Sequence, residues 1–285
     1  MKTRLFFFIT LALLTWACDN DPIDDSSLEE AQSEEITAEV EIATVEDLMQ
    51  DTEAETDRLL ALRSDSSSTG SIDNEPCVQI SRVPETGFPA TLTIDFGDGC
   101  TGPNGRVRAG QILVRQTDSL SKAGAERMLT FNQFSVDGVQ IEGERLLTNQ
   151  GANTLGQPTW QRVVKDAVFT FPDGTTLTWN STYTRTQIRG ARTATRIDDI
   201  FATDGFTEGV SRRGNAFSHV IAEPLIKSRD CRWIQAGVLE ITRGDRMRTV
   251  TFGNGFCDPV ATITFPNGES RRILLDRKWW QRQNG

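Results

Sequence analysis

Residues 176–188, TLTWNSTYTRTQI, alternate between two kinds of side chain. Leu177, Trp179 and Tyr183 fall on one side, and threonines occupy most of the other. Because successive side chains of a β-strand point to opposite faces, this period of two predicts a strand with one buried and one wet face. The same alternation recurs in residues 91–96, 128–136 and 168–171.

Turn residues separate these runs. They are GDG at 97–99, PNG at 103–105, DG at 137–138, PDG at 172–174 and PNG at 266–268. Asp-Gly and Asn-Gly supply the positive φ angles that hairpins need, so we expect about ten to fourteen strands. The sequence therefore predicts a mostly β fold, an antiparallel sheet or sandwich-like domain over residues 76–285.

Two segments of this β region resemble each other. Residues 77–100 begin at a cysteine and end in TLTIDFGDGC, and residues 231–257 begin at a cysteine and end in RTVTFGNGFC. The echo predicts two related halves and favours the disulfides Cys77–Cys100 and Cys231–Cys257. Four cysteines permit three pairings, so bridges between the halves stay open at this stage.

The first 17 residues predict an export signal. Lys2 and Arg4 precede the apolar run LFFFITLALL, which is too short to span a bilayer as a mature helix. Residues 15–18, TWAC, resemble a lipobox, where lipoprotein signal peptidase cuts before a cysteine that is then acylated. Ordinary signal peptidase cleavage is the alternative. Setting Cys18 aside leaves an even number of cysteines for an oxidising compartment, which favours lipidation of Cys18.

Charge divides the rest of the chain. Asp19 to Glu75 contain 19 acidic and 2 basic residues, whereas Pro76 to Gly285 contain 21 acidic and 26 basic residues. Residues 18–35 have little apolar content, which predicts a flexible tether. Apolar residues at near-helical intervals predict a short helix over 36–63, which docks on the β domain or, alternatively, pairs with a partner. The composition of residues 64–75 predicts a linker.

Four features of the sequence are similar to a set of Bacteroidota envelope lipoproteins of unassigned function. They are Cys77, FPATLTIDFGDGC (88–100), FPDGTTLTWNSTYTRT (171–186) and FGNGFCDPVATITFPNG (252–268). The acidic run after Cys18 likewise resembles the surface-export signals of Bacteroidota lipoproteins, although a plain solvated spacer explains the same residues. The resemblance implies a protein anchored by lipid to the outer membrane, on its periplasmic or cell-surface side. It implies no catalytic residues.

The sequence offers little catalytic chemistry. His219 is the only histidine, which excludes HExxH and every two-histidine metal site. There is no GxSxG elbow, phosphate loop or dinucleotide fingerprint, and the cysteines are too far apart for a zinc site. We therefore predict a membrane-anchored envelope protein with a binding or structural role, which is not an enzyme and needs no metal or cofactor. Two alternatives remain, a glycan hydrolase using paired carboxylates and a carrier of lipid or lipoprotein with an apolar cavity.

Arginine gives the clearest indication of a ligand, because 22 of the 26 basic residues after Glu75 are arginines. Guanidinium groups bind carboxylates and phosphates bidentately, and tryptophan rings stack on sugars, so we predict an anionic envelope glycan or another envelope protein as partner. Nucleic acid is not expected, because the compartment is wrong and the excess of basic residues is small. Alternatively, the arginines are only surface side chains of exposed strands, where they discourage pairing at the sheet edges. The candidate ligand-binding residues are Arg185, Arg189, Arg271, Arg272, Trp279 and Trp280.

Overall fold

The computed structural model describes residues 25–65, 70–72, 75–231 and 233–274. The chain separates into two compact units, residues 1–39 and residues 40–285. Helix α1 spans Asp25–Asp65, so its first part belongs to the first unit and the remainder to the second. Within the described ranges, no helix has both the length and the apolar content needed to cross a membrane.

Strands account for 58% of the structure, which confirms the predicted mostly β fold. Fourteen of the strands found in the described residues follow one antiparallel path in nearly sequential order, and β4 is added beside it by pairing with β5. The strands are β1 (Gly70–Ile72), β2 (Glu75–Val83), β3 (Ala90–Asp95), β4 (Cys100–Thr101), β5 (Val107–Gln116), β6 (Glu126–Val136), β7 (Val139–Ala152), β8 (Pro158–Thr170), β9 (Thr176–Arg189), β10 (Ile200–Val210), β11 (Ala216–Ser228), β12 (Ala236–Arg243), β13 (Arg246–Phe252), β14 (Val260–Thr264) and β15 (Ser270–Leu274).

The predicted turn residues form the hairpins between these strands. Asp137 and Gly138 have φ angles of 51° and 80° and join β6 to β7 as a two-residue turn. Between β8 and β9, the amide of Gly174 donates to the carbonyl of Phe171 at 2.9 Å. Short local turns of this kind make each strand pair with the next, and they explain the antiparallel order.

The strand pairing does not confirm a sandwich or two related halves. Each strand from β5 to β14 is hydrogen-bonded to the strand before it and the strand after it, so the described strands form one sheet. A sandwich requires the ladder to break into two sheets. The hairpin turns keep the ladder unbroken here, and the echo between residues 77–100 and 231–257 does not divide it.

Glycines at strand bulges let the sheet bend. At Gly110 an added Cβ atom would lie 2.1 Å from the carbonyl oxygen of Gln133, and at Gly205 it would lie 2.0 Å from that of Thr182. The register between paired strands shifts at both places. Because a bulge bends its strand and increases the local twist, the strands are expected to bend at these positions.

Residues 40–62 of helix α1 pack against the sheet, which confirms the predicted docking of this segment. Val45, Leu48 and Leu59 are buried in one cluster with side chains from β2 to β9 and with Phe217 of β11. Among the described side chains of this segment, those classed as exposed form a single stripe along the helix, Gln50, Ala54, Asp57 and Ala61. The sheet therefore covers most of the circumference of the helix.

Two boundaries differ from the sequence expectation. The helix begins at Asp25 rather than at residue 36, inside the segment predicted as a tether. That segment contains Glu, Ala and Gln, which have high helix propensity and which an argument from low apolar content does not weigh. The predicted linker, residues 64–75, also contains the short strand β1, which pairs with β2.

Both predicted disulfides are present. Cys77 pairs with Cys100 and Cys231 pairs with Cys257, with Cα–Cα distances of 5.5 and 5.6 Å. Each bridge joins positions fewer than 30 residues apart, so neither connects distant parts of the sheet.

Candidate functional site

The acidic helix and the arginine-rich sheet neutralise each other inside the second unit. Arg108 of β5 pairs with Asp51, and Arg145 of β7 pairs with Glu53. Both arginine side chains are almost completely buried, and a buried cation requires a partner of opposite charge. Part of the charge difference between the two segments of the sequence is therefore an internal pairing within residues 40–285. Three further arginines join the same network, namely Arg106, Arg127 and Arg162.

Glu53 lies at the centre of this network. Its carboxylate also forms an ion pair with Arg162, whose Nε lies 3.3 Å from Oε1 of Glu53. Burial acts to raise the pKa of Glu53, but the combined charges of four arginines, led by Arg145 and Arg162, outweigh it and hold the pKa below its usual value. Burial lowers the pKa of Arg145, and the charge of Glu53 opposes this. Glu53 is therefore an ionised, fixed carboxylate and is unsuited to donating a proton.

Two adjoining clefts open where this network reaches the surface. Arg185, Phe201 and Arg229 line both, and the cleft volumes are about 530 and 440 Å³. We call the pair the Arg185 cleft. Its larger part is also lined by Lys227 and Trp233, and its smaller part by Glu53, Asp57, Arg127, Trp160, Arg162 and Arg196.

Arg185 differs from the other arginines of the network. Its guanidinium carbon stacks over the ring of Phe201, 3.8 Å from the ring centroid. Among the described residues, no carboxylate oxygen lies within 4.0 Å of its guanidinium nitrogens. Partial burial, followed by the positive charge of Arg162, lowers its pKa to about 10. At neutral pH it is thus a charged, half-buried guanidinium that lines the cleft, where the charges of Glu53 and Asp199 act on it without a direct contact from a carboxylate of the described residues.

The remaining walls of the Arg185 cleft are polar and aromatic. Arg229 lies 3.6 Å from the carboxylate of Asp199, which also accepts a hydrogen bond of 2.8 Å from the side-chain amide of Gln187. Trp233 is half-buried, and its backbone amide donates to the sulfur of Cys231 at 3.4 Å. The second disulfide therefore holds an aromatic side chain at the edge of the cleft.

The structure separates the predicted ligand-binding residues. Arg185 lines the cleft, whereas Arg189 is exposed at the end of β9 and is not part of the lining. Arg271 and Arg272 are exposed on β15, away from the cleft, and Arg271 pairs with Glu269 at 2.8 Å. Trp279, Trp280 and the predicted lipidation site Cys18 lie outside the described residues.

Sequence reasoning missed most of the cleft, including Phe201, Arg229, Trp233 and Trp160. A usable signal existed for its ion pairs, because Glu53 and Asp57 are four residues apart and so lie on one face of the helix. The alternating arginines on the strands offered matching charges. Which strand faces which turn of the helix, however, is set only by the folded sheet.

Among the described residues, few titratable groups suit the hydrolase that the sequence left open as an alternative to binding. His219 is buried in β11, and burial together with the charge of Arg243 lowers its pKa to about 4, so it is neutral at pH 7. The acids that line the smaller part of the cleft, Glu53, Asp57 and Asp199, each lie beside an arginine. No protein family, curated protein or solved structure matches the chain, so its function is inferred from the geometry of the cleft.

Proposed function

We propose that this protein is a lipid-anchored envelope protein of the Bacteroidota type, attached through Cys18 to the outer membrane. In this proposal it binds an anionic glycan in the Arg185 cleft without catalysing a reaction. The observation that carries the proposal is the guanidinium of Arg185, charged, half-buried and without a carboxylate partner among the described residues. The other arginines that neighbour the helix have acidic partners.

The chemistry of the cleft suits a sugar that carries a carboxylate or a phosphate. A guanidinium binds either group with two parallel hydrogen bonds, and its stacking on Phe201 holds it in one orientation. Trp233 and Trp160 supply aromatic faces on the two sides of Arg185. Both volumes fall within the range of about 300 to 1,000 Å³ that is typical of small-ligand sites.

Binding is favoured over hydrolysis by the state of the acids. A glycosidase of the carboxylate type needs one acid that stays protonated until it protonates the leaving group. Neighbouring arginines lower the pKa of Glu53 instead, and Asp57 and Asp199 also face arginines. A carrier with an open apolar cavity is disfavoured because residues 40–62 of the helix cover the face of the sheet that such a cavity would need.

The binding proposal is tested with matched variants on one strand. Wild type, Arg185→Gln and Arg189→Gln are applied to an array of uronic-acid and phosphorylated oligosaccharides, with neutral oligosaccharides of equal length. We expect the wild type to retain acidic glycans selectively, and binding should weaken as salt is added. Arg185→Gln should abolish this retention, and Arg189→Gln, whose side chain lies outside the cleft, should preserve it. Equal retention by both variants would place the ligand elsewhere.

The anchor is tested independently of the ligand. Cells that express the full chain are grown with labelled palmitate, and the protein is isolated from the membrane fraction. We expect label in the wild type and none in Cys18→Ala, which should be released from the outer membrane. Label that persists in Cys18→Ala would contradict acylation at this residue.

A further inference from the structure

We propose that Asp57 competes with the ligand for Arg127 and thereby limits the Arg185 cleft to ligands with one compact anionic group. This inference rests on the proposed function and adds the class of glycan that the site accepts. Asp57 and Arg127 both line the smaller part of the cleft, which also contains Arg185.

The two members of this ion pair differ in exposure. An oxygen of Asp57 lies 2.5 Å from a guanidinium nitrogen of Arg127. The side chain of Arg127 is 5% exposed, whereas that of Asp57 is 56% exposed. A carboxylate at the surface loses little by turning into water, but a buried guanidinium requires an anion beside it. Asp57 is therefore the replaceable member of the pair.

The neighbouring acid in the cleft cannot be replaced in this way. Glu53 is 10% exposed and is held between Arg145, whose side chain is 7% exposed, and Arg162, so removing it would leave the buried cation of Arg145 without its ion-pair partner. Arg162 consequently stays neutralised when a ligand enters. In the structure, Arg185 has no direct contact with a carboxylate of the described residues, whereas Arg127 becomes accessible to a ligand only when Asp57 moves away.

This arrangement discriminates between ligands by the number of their anionic groups. A ligand with one carboxylate is satisfied by Arg185 and leaves the pair of Asp57 and Arg127 intact. A chain with several carboxylates gains a second contact only by displacing Asp57, so its additional charges add little to the affinity. Asp57 thus acts as a specificity-determining residue.

The test compares galacturonic acid with its linear trimer by calorimetry. The variants are Asp57→Asn, Asp57→Glu and the matched control Asp47→Asn. Asp47 is a partly exposed acid of the same helix that pairs with Arg106 outside the cleft, and Arg106 keeps Asp51 and Asp137 as neighbours. Arg185→Gln serves as the variant that removes the site, and a thermal melt of each variant establishes that it is folded.

We expect the wild type and Asp47→Asn to bind monomer and trimer with similar affinity. Asp57→Asn should bind the trimer about five-fold more tightly than the wild type does, which corresponds to the upper range for an exposed ion pair, and should bind the monomer unchanged. Asp57→Glu, which restores a carboxylate, should return to the wild-type ratio.

Two contrary results have separate meanings. If Asp57→Asn leaves the ratio of the two affinities unchanged while Arg185→Gln still abolishes binding, the role of Asp57 is wrong and the proposed function stands. If folded wild type and all folded variants fail to bind either probe, the proposed acidic-glycan function fails, and the role of Asp57 fails with it.

Discussion

The segment closed by Cys77–Cys100 and the segment closed by Cys231–Cys257 share a sequence signature but differ in what covers them. In the first segment, Ile94 and Phe96 are buried in the cluster that contains residues of helix α1. In the second, Ile241 and Phe252 belong to a separate, smaller cluster that contains no described helix residue. Similar strands in the two segments are thus buried in different clusters, because the helix packs against only the first segment.

This difference in packing also leads us to expect different roles for the two segments. The first segment supplies apolar side chains to the larger core. The second begins at Cys231, which lines the Arg185 cleft beside Trp233. Because Cys231 and Trp233 line the larger part of the proposed site, we expect the second segment to contribute more to binding and less to stability.

The largest expected effect concerns the two cores. Leu92 is buried against the helix-containing cluster, and Leu239 is only partly buried in the smaller one. Leu92→Ala should lower the free energy of unfolding by about 3 to 4 kcal/mol, because it leaves a cavity in a closely packed core. Leu239→Ala should lower it by about 1 kcal/mol. Urea denaturation of both variants measures the difference, and equal losses would contradict the comparison.

The disulfides separate stability from binding. Replacing both cysteines of either bridge with serine should lower the free energy of unfolding by about 3 kcal/mol, because loops of similar length are opened. Only Cys231→Ser with Cys257→Ser should also weaken binding of acidic oligosaccharides, because the opened bridge no longer fixes the segment of Cys231 and Trp233 that lines the cleft. Thermal melts and the glycan array measure the two properties. Loss of binding in the variant lacking Cys77 and Cys100 would break the distinction.

The smallest expected effect is a pH dependence inside the helix-covered region. Burial raises the pKa of Glu46 above 4.5, and the nearby charge of Asp47 acts in the same direction. A carboxyl whose pKa is raised on folding costs stability as the pH rises from 4.5 through the folded-state pKa. Glu46→Gln should therefore raise the free energy of unfolding at pH 7, with the gain shrinking towards zero below pH 4.5. Denaturation curves at pH 4 and pH 7 measure this, and a gain independent of pH would exclude the carboxyl as its cause.

Glu53, seven residues further along the helix, has the opposite sign. Its pKa is lowered because the charges of the surrounding arginines, led by Arg145 and Arg162, together outweigh burial. Its contribution to stability is therefore present above pH 4.5 and is lost as the pH falls through the folded-state pKa. Two glutamates on the same helix thus differ in pH dependence only because arginines surround one of them.

Features that depend on near neighbours in the chain were predictable. The strand alternation, the turn at Asp137 and Gly138 and the two disulfides all join residues within about 30 positions, and local backbone preferences determine them. The helix over residues 36–63 was likewise visible in its periodicity, although its start was not. The separation into a sandwich with two halves was not confirmed, because a repeated local pattern does not fix how the sheet continues.

By itself, the sequence determined the type of secondary structure, the positions of the hairpins and the charge of each segment. Only the tertiary structure decided which of the described arginines contact a carboxylate directly. The pairs of Arg108 with Asp51 and of Arg145 with Glu53 join residues 57 and 92 positions apart in the sequence. They come into contact because the helix packs against the sheet. Among the described residues, Arg185 lacks a direct carboxylate contact because Asp51, Glu53 and Asp57 of the helix contact other arginines, and this is a property of their positions in space.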